Sequence, residues 1–283
     1  MIKKKNITLR IVGGLGNQLF IFCFLYYLSK KLKIPIFLDK YSGYQTYLGG
    51  NRYNQIFLLD KIDYDFFFQK REFCFLGFLG KVKRFLVKNF TIFSSLFDVD
   101  YIQEKNCKDI LLEIKNSKKN NIYIEGYFQD IKYFISHKFN LIKKIETAFI
   151  RRDFKLVNLN QSICVCLSNY SYGNILENKV YVNNINFFLE KNKNKFKYLY
   201  IFSAKYDEIF NLLNFKNKFF INPQKKINSF ENLYVMSKFK YFIIDNSTYH
   251  WWGARLSSFK GKIVYTQKDF NSKLTSKSFK KII

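Results

Sequence analysis

The stretch "ITLRIVGGLGNQLFIFCFLYYLSKKLKIPIFLD", Ile7 to Asp39, decides how the rest of the chain is read. Ile7 to Val12 reads as a buried parallel strand, Gln18 to Leu32 as a helix apolar on most sides, and Ile34 to Leu38 as a second strand ending at Asp39. Together they make one β-α-β unit. Between strand and helix stand Gly13, Gly14 and Gly16. Glycines let backbone amides approach a ligand closely, and a helix opening at Asn17 or Gln18 aims its N–H groups and dipole at an anion. The turn therefore fits a phosphate or pyrophosphate. The spacing from Gly16 to Asp39 invites a dinucleotide reading, but Leu19 stands where the third glycine belongs, so that fingerprint is broken.

Size and composition narrow the classes. The 283 residues are 48% hydrophobic and 20% aromatic, enough for one large domain or two medium ones. Lys plus Arg 48 against Asp plus Glu 21 leaves +27, a balance that points toward nucleic acid or an anionic membrane. The lysines are scattered, however, and three alanines and seven arginines beside abundant Lys, Asn, Ile, Phe and Tyr are what a genome poor in G and C produces. We expect no nucleic-acid partner, and a peripheral contact with an anionic membrane face. Five cysteines without a CxxC pair and only two histidines indicate neither a disulfide frame nor a metal site, as in a reducing cytoplasm. The longest apolar run, Leu19 to Leu28, is about half of the ~20 residues a membrane-spanning helix needs. No export signal is expected at the start of the chain.

Alternation continues beyond the first unit. Gly80 to Lys88 reads as a helix in an otherwise mixed, aromatic region from Tyr41 to Lys119. "NIYIEGYFQDIKYF", Asn121 to Phe134, reads as a strand, a loop and a helix, and Phe139 to Ile150 as another helix. Ser162 to Leu167, Phe196 to Ser203, Lys240 to Asp245 and Gly261 to Thr266 read as strands, with a helix near Val182 to Lys191. Two blocks of alternating strands and helices predict two α/β layers with parallel sheets, divided between Ile150 and Gln161. Ligands in such folds sit beyond the C-terminal strand ends.

Five stretches carry a family resemblance: "GGLGNQLF" (Gly13 to Phe20), "GYFQDIKYF" (Gly126 to Phe134), "YIFS" (Tyr200 to Ser203), "LYVMSKFKYFIIDNSTYHWWGARL" (Leu233 to Leu256) and "KIVYTQKDF" (Lys262 to Phe270). In this order and spacing they resemble bacterial α-1,2-fucosyltransferases, glycosyltransferase family 11. The likeness is weakest between Tyr41 and Asn120. It implies a GT-B type α/β fold, two Rossmann-like domains with a cleft between them, here an acceptor-side domain 1–155 and a nucleotide-sugar-binding domain 156–283. It further implies inverting, metal-independent transfer of L-fucose from GDP-fucose to a hydroxyl of a surface glycan, free or lipid-linked, in α-1,2 linkage and with no other cofactor.

One motif departs from the family. Relatives carry His-x-Arg-Arg-Gly-Asp-Tyr after the strand occupied here by "SICVCL", and its arginine is expected to grip the donor pyrophosphate. Alignment puts Cys166 at the histidine and Ser168 and Asn169 at the two arginines. Charge-assisted hydrogen bonds of that kind are worth about 1.5 to 3 kcal/mol each. Lys205, past the neighbouring strand where relatives have acidic residues, offers a substitute cation, though a poorer clamp than a guanidinium. A different nucleotide-sugar donor and a catalytically silent glycan-binding relative stay open as other readings.

The residues that follow from this are of three kinds. Gly14, Gly16, Asn17, Ser168, Asn169, Lys205, Asn246, Ser247 and Thr248 are the candidate donor-binding residues; a tight turn and plain helix caps are the ordinary alternatives for the glycines and for 246–248. Tyr127, Gln129, Trp251 and Trp252 are candidates for the cleft and acceptor, against core packing for the tryptophan pair. An inverting transfer needs a group to take the acceptor's proton; the candidates are His250, Asp39 and Asp245, with Glu125 a further strand-end carboxylate, and the sequence does not choose among them. Cys164 and Cys166 point to one face of a strand and fit core packing.

Overall fold

The apolar strands fold as the alternation predicts. A computed structural model of the chain describes residues 5–44, 56–135, 138–149, 155–167, 175–203, 211–221, 228–266 and 270–282. The chain divides into two compact units, Met1–Thr147 and Ala148–Ile283, a few residues before the predicted boundary.

In the first unit β1 (Asn6–Arg10), α1 (Leu15–Leu32) and β2 (Ile36–Asp39) form the opening β-α-β. β3 (Phe67–Phe68), α2 (Gly77–Asn89), α3 (Thr91–Leu96), β4 (Val99–Gln103), α4 (Ile110–Asn116), β5 (Asn121–Glu125), α5 (Lys132–Ile135) and α6 (Lys138–Thr147) complete it. The sheet order is β3-β2-β1-β5-β4 and the pairing is parallel throughout. β1 sits at the centre, Ile7 opposite Ile36 on one side and Ile122 on the other, with Ile7, Thr8 and Leu9 all buried. α1 buries Leu19 through Tyr26 without interruption, so it is a core helix rather than an amphipathic one. Lys30 and Lys31 in its last turn complement the dipole. The helix begins at Leu15, earlier than the predicted Asn17 or Gln18, because a glycine at the cap position leaves Leu15 free to start burying.

The second unit carries β6 (Ser162–Cys166), α7 (Ile175–Lys191), β7 (Tyr198–Phe202), β8 (Lys218–Ile221), α8 (Ser229–Met236), β9 (Tyr241–Ile244), α9 (Thr248–Arg255), β10 (Ile263–Thr266) and β11 (Phe279–Lys281). Its sheet order is β11-β10-β9-β6-β7-β8, again parallel. β6 is buried at every position. Tyr181, Val182, Ile185 and Leu189, spaced at helical intervals on α7, close over Ile163, Val165, Leu199 and Ile201. Cys164 and Cys166 are buried on the opposite face of β6, with their sulfurs 3.5 Å apart. The fold class is therefore the expected one, α/β with two Rossmann-like parallel-sheet units.

Candidate functional site

In an open parallel sheet, ligands bind outside the C-terminal ends of the two strands at which the strand order reverses. In the first unit those strands are β1 and β5, and in the second β6 and β9. The segments after β1, β5 and β9 hold "GGLGNQ", "GYFQD" and "DNSTYH"; the degenerate arginine motif that follows β6 lies, from Ser168 on, outside the described residues. Topology thus gathers the sequence motifs at one end of each sheet.

After β1, Gly13 takes φ +87, a backbone conformation that strains any side chain, and a Cβ there would also lie 2.7 Å from Asn17 Nδ2, which would have to shift. Its carbonyl accepts hydrogen bonds from Gln18 Nε2 at 2.9 Å and the Tyr44 hydroxyl at 3.3 Å. Gln18 is fully buried and also donates to Ile56 O at 2.7 Å and accepts from Leu58 N at 2.9 Å, which ties the glycine turn to the distant 56–58 segment. Gly14 is the N-cap of α1, with no side-chain cap and no acidic residue in the first turn. The positive end of the α1 dipole is thus not matched by a carboxylate of its own helix. Gly16 and Asn17 belong to that first turn.

After β5 the loop is clamped. Glu104 Oε2 accepts the backbone N–H groups of Tyr127 at 2.9 Å and Phe128 at 2.8 Å. A Cβ on Gly126 would come within 2.5 Å of Glu104 Cβ, so the close clamp requires that glycine. Phe128 takes φ 52, a conformation that costs a bulky residue about 1–3 kcal/mol. It is held there by stacking on Phe24, centroids 3.8 Å apart and rings 11° from parallel. The consequence is orientation: Tyr127 is 44% exposed, and Gln129 Nε2 donates to Asn17 Oδ1 at 3.1 Å. Two residues chosen separately from the sequence are brought together.

Beneath these loops runs a charged network. Asp39 Oδ1 accepts the N–H groups of Tyr41 and Ser42 at 2.9 Å each, and its Oδ2 accepts the Tyr123 hydroxyl at 2.5 Å. Arg10 donates to Ser42 Oγ at 3.0 Å and Ser42 O at 3.1 Å. It also lies 3.7 Å from Glu125, which Arg84 at 3.7 Å and Lys88 at 3.5 Å share, and to which the Tyr101 hydroxyl donates. Burial pushes the Glu125 carboxyl up, but the Tyr101 hydrogen bond and the three cations outweigh it and hold the group below its usual range. Asp39 is completely buried with both oxygens engaged. It builds the 41–44 turn and has no access to an acceptor hydroxyl, which corrects its candidacy as a catalytic base.

After β9, Asp245 is completely buried and its Oδ1 meets His250 Nδ1 at 2.6 Å and accepts the Ser247 N–H at 3.2 Å. Burial disfavours charge on His250, yet the Asp245 carboxylate more than offsets it and raises the imidazole from 6.5 to about 9. The buried carboxylate thus favours the protonated imidazole. The pair is a positioning device: it fixes the 245–247 turn and so the start of α9. That start has Ser247 as N-cap with no side-chain cap and no acidic residue in the first turn. α8 differs, with Asn228 and Glu231 forming a complete capping box. Asn246 is exposed and Ser247 and Thr248 half-buried.

Trp251 and Trp252 correct the sequence reading. Both are fully buried, 4.9 Å apart and edge to face, and Trp251 Nε1 donates to Leu274 O at 2.9 Å. They are core residues and wall no sugar site. Burial pushes the Cys166 thiol well above its ordinary value, in keeping with an inert core cysteine. Ser168, Asn169 and Lys205 lie outside the described residues. Among the described residues, no group of three or more His, Cys, Asp or Glu gathers to hold a metal ion. Glu104, Gln18 and Tyr44 are the residues that sequence reasoning missed; only Gln18 lay inside a recognised motif.

No family model matches the chain. It is 27% identical over 276 residues to an alpha-1,2-colitosyltransferase of Escherichia coli, covering 89% of this chain and 88% of that one. It is 26% identical over 304 residues to the O-antigen biosynthesis glycosyltransferase WbnK of Escherichia coli, covering 94% and 97%. Among solved structures it is similar to a mutant of Arabidopsis thaliana FUT1 in complex with GDP, with TM-score 0.49 and 11% identity over 96% of this chain and 72% of that one. It is also similar to fucosyltransferase NodZ from Bradyrhizobium, with TM-score 0.45 and 10% identity over 90% and 94%. The curated relatives are thus glycosyltransferases, matched along most of the chain.

Proposed function

We propose that this protein is a GT-B type glycosyltransferase that moves L-fucose from GDP-fucose onto a hydroxyl of a surface glycan, in α-1,2 linkage and with inversion. The observation that carries the reading is that both curated relatives, matched over 89% and 94% of the chain, are glycosyltransferases. The sheet-end placement of the motif loops supports it independently. In the proposed step the acceptor oxygen attacks the anomeric carbon as the bond to the diphosphate breaks in line; the bonding pair leaves with GDP, and the hydroxyl's proton passes to water as the new bond completes. Charge then develops on the departing phosphate. The start of α9, fixed by Asp245 and His250, supplies main-chain donors to that oxyanion. Lys205 is the cation proposed in place of the missing arginines. The first unit takes the acceptor, with Tyr127 and Gln129 on the clamped loop. The proposal includes no metal or cofactor beyond the nucleotide sugar.

A second reading keeps the transfer and changes the sugar. One relative is an alpha-1,2-colitosyltransferase, and colitose is fucose without one hydroxyl. The test for both is transfer from the GDP-activated form of each sugar to a galactoside, with the product's linkage read by NMR. An α-1,2-fucosyl product supports the first reading, and an α-1,2-colitosyl product alone supports the second. Turnover of UDP- or CMP-sugars only, or transfer from no donor, overturns both.

A further inference from the structure

Helix α2 is built inside out. At 3.6 residues per turn, Phe78, Val82 and Phe85 share one face with Leu79 beside them. These four are 70%, 39%, 60% and 80% exposed, whereas the buried residue of the helix, Val87, lies on the opposite side. Gly80 shares the Val87 side, where a Cβ would come within 2.4 Å of the Phe75 backbone, so the helix rests there by its smallest residue. Its large apolar side chains are turned away. α3 continues the surface with Ile92 and Leu96, one turn apart and 72% and 71% exposed. The Phe90 ring, 6.2 Å from that of Phe85, joins the two helices.

The charge around this surface is of one sign. From Phe73 to Phe97 the sequence has Lys81, Lys83, Arg84 and Lys88 and no acidic residue. On the helical wheel Lys81 and Lys88 edge the apolar stripe on one side and Lys83 on the other, and Lys81 and Lys83 are exposed. An apolar helical face edged by lysines is the chemistry of an interfacial helix: side chains enter the acyl boundary while ammonium groups meet headgroup phosphates. A second copy of the chain fits poorly, because pairing like faces would press the same cations together in a protein of net charge +27. Among the described residues no helix is long and apolar enough to cross a membrane, so such contact lies in the interface plane.

We propose that α2 and α3 form the face by which this protein lies on an anionic lipid bilayer. Arg84 and Lys88 reach Glu125 at the C-terminal end of β5, so the face adjoins the sheet end that carries the candidate site. The contact does not depend on which sugar is transferred.

The test is sedimentation of the full chain with vesicles of phosphatidylcholine alone and of phosphatidylcholine with phosphatidylglycerol. Binding is expected to the mixed vesicles, much less to the neutral ones, and to weaken with salt. The triple variant F78S/L79S/F85S should bind mixed vesicles at least about tenfold more weakly. K81E/K83E should lose about thirtyfold, roughly fivefold for each lysine removed. All of these residues are exposed, and an unchanged melting midpoint shows that the variants fold. Equal binding to both vesicle types, no binding to either, or variants that bind like the parent would overturn the proposal. So would a concentration-dependent dimer, seen by light scattering, that the triple variant abolishes without any change in lipid binding.

Discussion

At the end of the first sheet, Glu125 is shared by Arg10, Arg84, Lys88 and the Tyr101 hydroxyl, and its side chain keeps 23% of its exposure. At the end of the second sheet, Asp245 and His250 meet at 2.6 Å with side-chain exposures of 0% and 6%. The first arrangement spreads one carboxylate over several partners within reach of water, so losing one partner leaves the others. The second buries a carboxylate against an imidazole, with the Ser247 N–H as a further donor to the same oxygen. Removing the imidazole there leaves a fully buried carboxylate without its main partner, which costs far more than the pair itself is worth. The two sheet ends should therefore answer mutation and pH differently.

The largest effect is expected at the buried pair. Asp245→Ala should lower unfolding stability by about 3–5 kcal/mol, whereas Arg10→Ala should cost about 1 kcal/mol because Glu125 keeps Arg84 and Lys88. Chemical denaturation measures both, and equal losses would break the comparison.

The pH dependence sharpens it. His250 has its value raised from 6.5 to about 9 on folding, so its stabilisation, about 3 kcal/mol, is fully present below its unfolded value and fades as pH rises through about 9. Glu125 is held low, so its contribution is present above the ordinary carboxylate range and fades as pH falls through the folded value. Melting midpoints across pH should show both limbs, and Asp245→Asn should abolish the alkaline limb alone.

Smaller effects probe the loops. Gly13→Ala must place a Cβ at φ +87 against Asn17; it should cost about 1–3 kcal/mol and weaken nucleotide binding, read by calorimetry. Glu104→Gln leaves the Tyr127 and Phe128 amides with a neutral acceptor and should cost about 1 kcal/mol. It should raise KM for the glycan acceptor more than it weakens nucleotide binding, because the clamp holds the loop after β5 and reaches the glycine turn only through Gln129 and Asn17.

The sequence showed the strands and helices where one period dominated: "SICVCL" and "YFII" are buried runs, and α1 is apolar on most sides. Between Tyr41 and Lys119 it showed only the helix over Gly80 to Lys88, which α2 contains; elsewhere aromatic residues carry neither period cleanly, and β3, α3, β4 and α4 fall there. At the site, the glycine turn and the 126–130 loop were legible because small residues and amides stand out locally. Glu104 was not, since its partners lie more than twenty positions away and no local pattern reports a clamp made across two parallel strands. Trp251 and Trp252 illustrate the reverse: an aromatic pair inside a recognised motif looked like a sugar platform, yet edge-to-face packing under Leu274 consumes both.

Isothermal calorimetry with GDP, UDP and CMP tests the donor assignment most directly. GDP is expected to bind and the other two to show no comparable heat. Binding of UDP or CMP in the absence of GDP binding would contradict it.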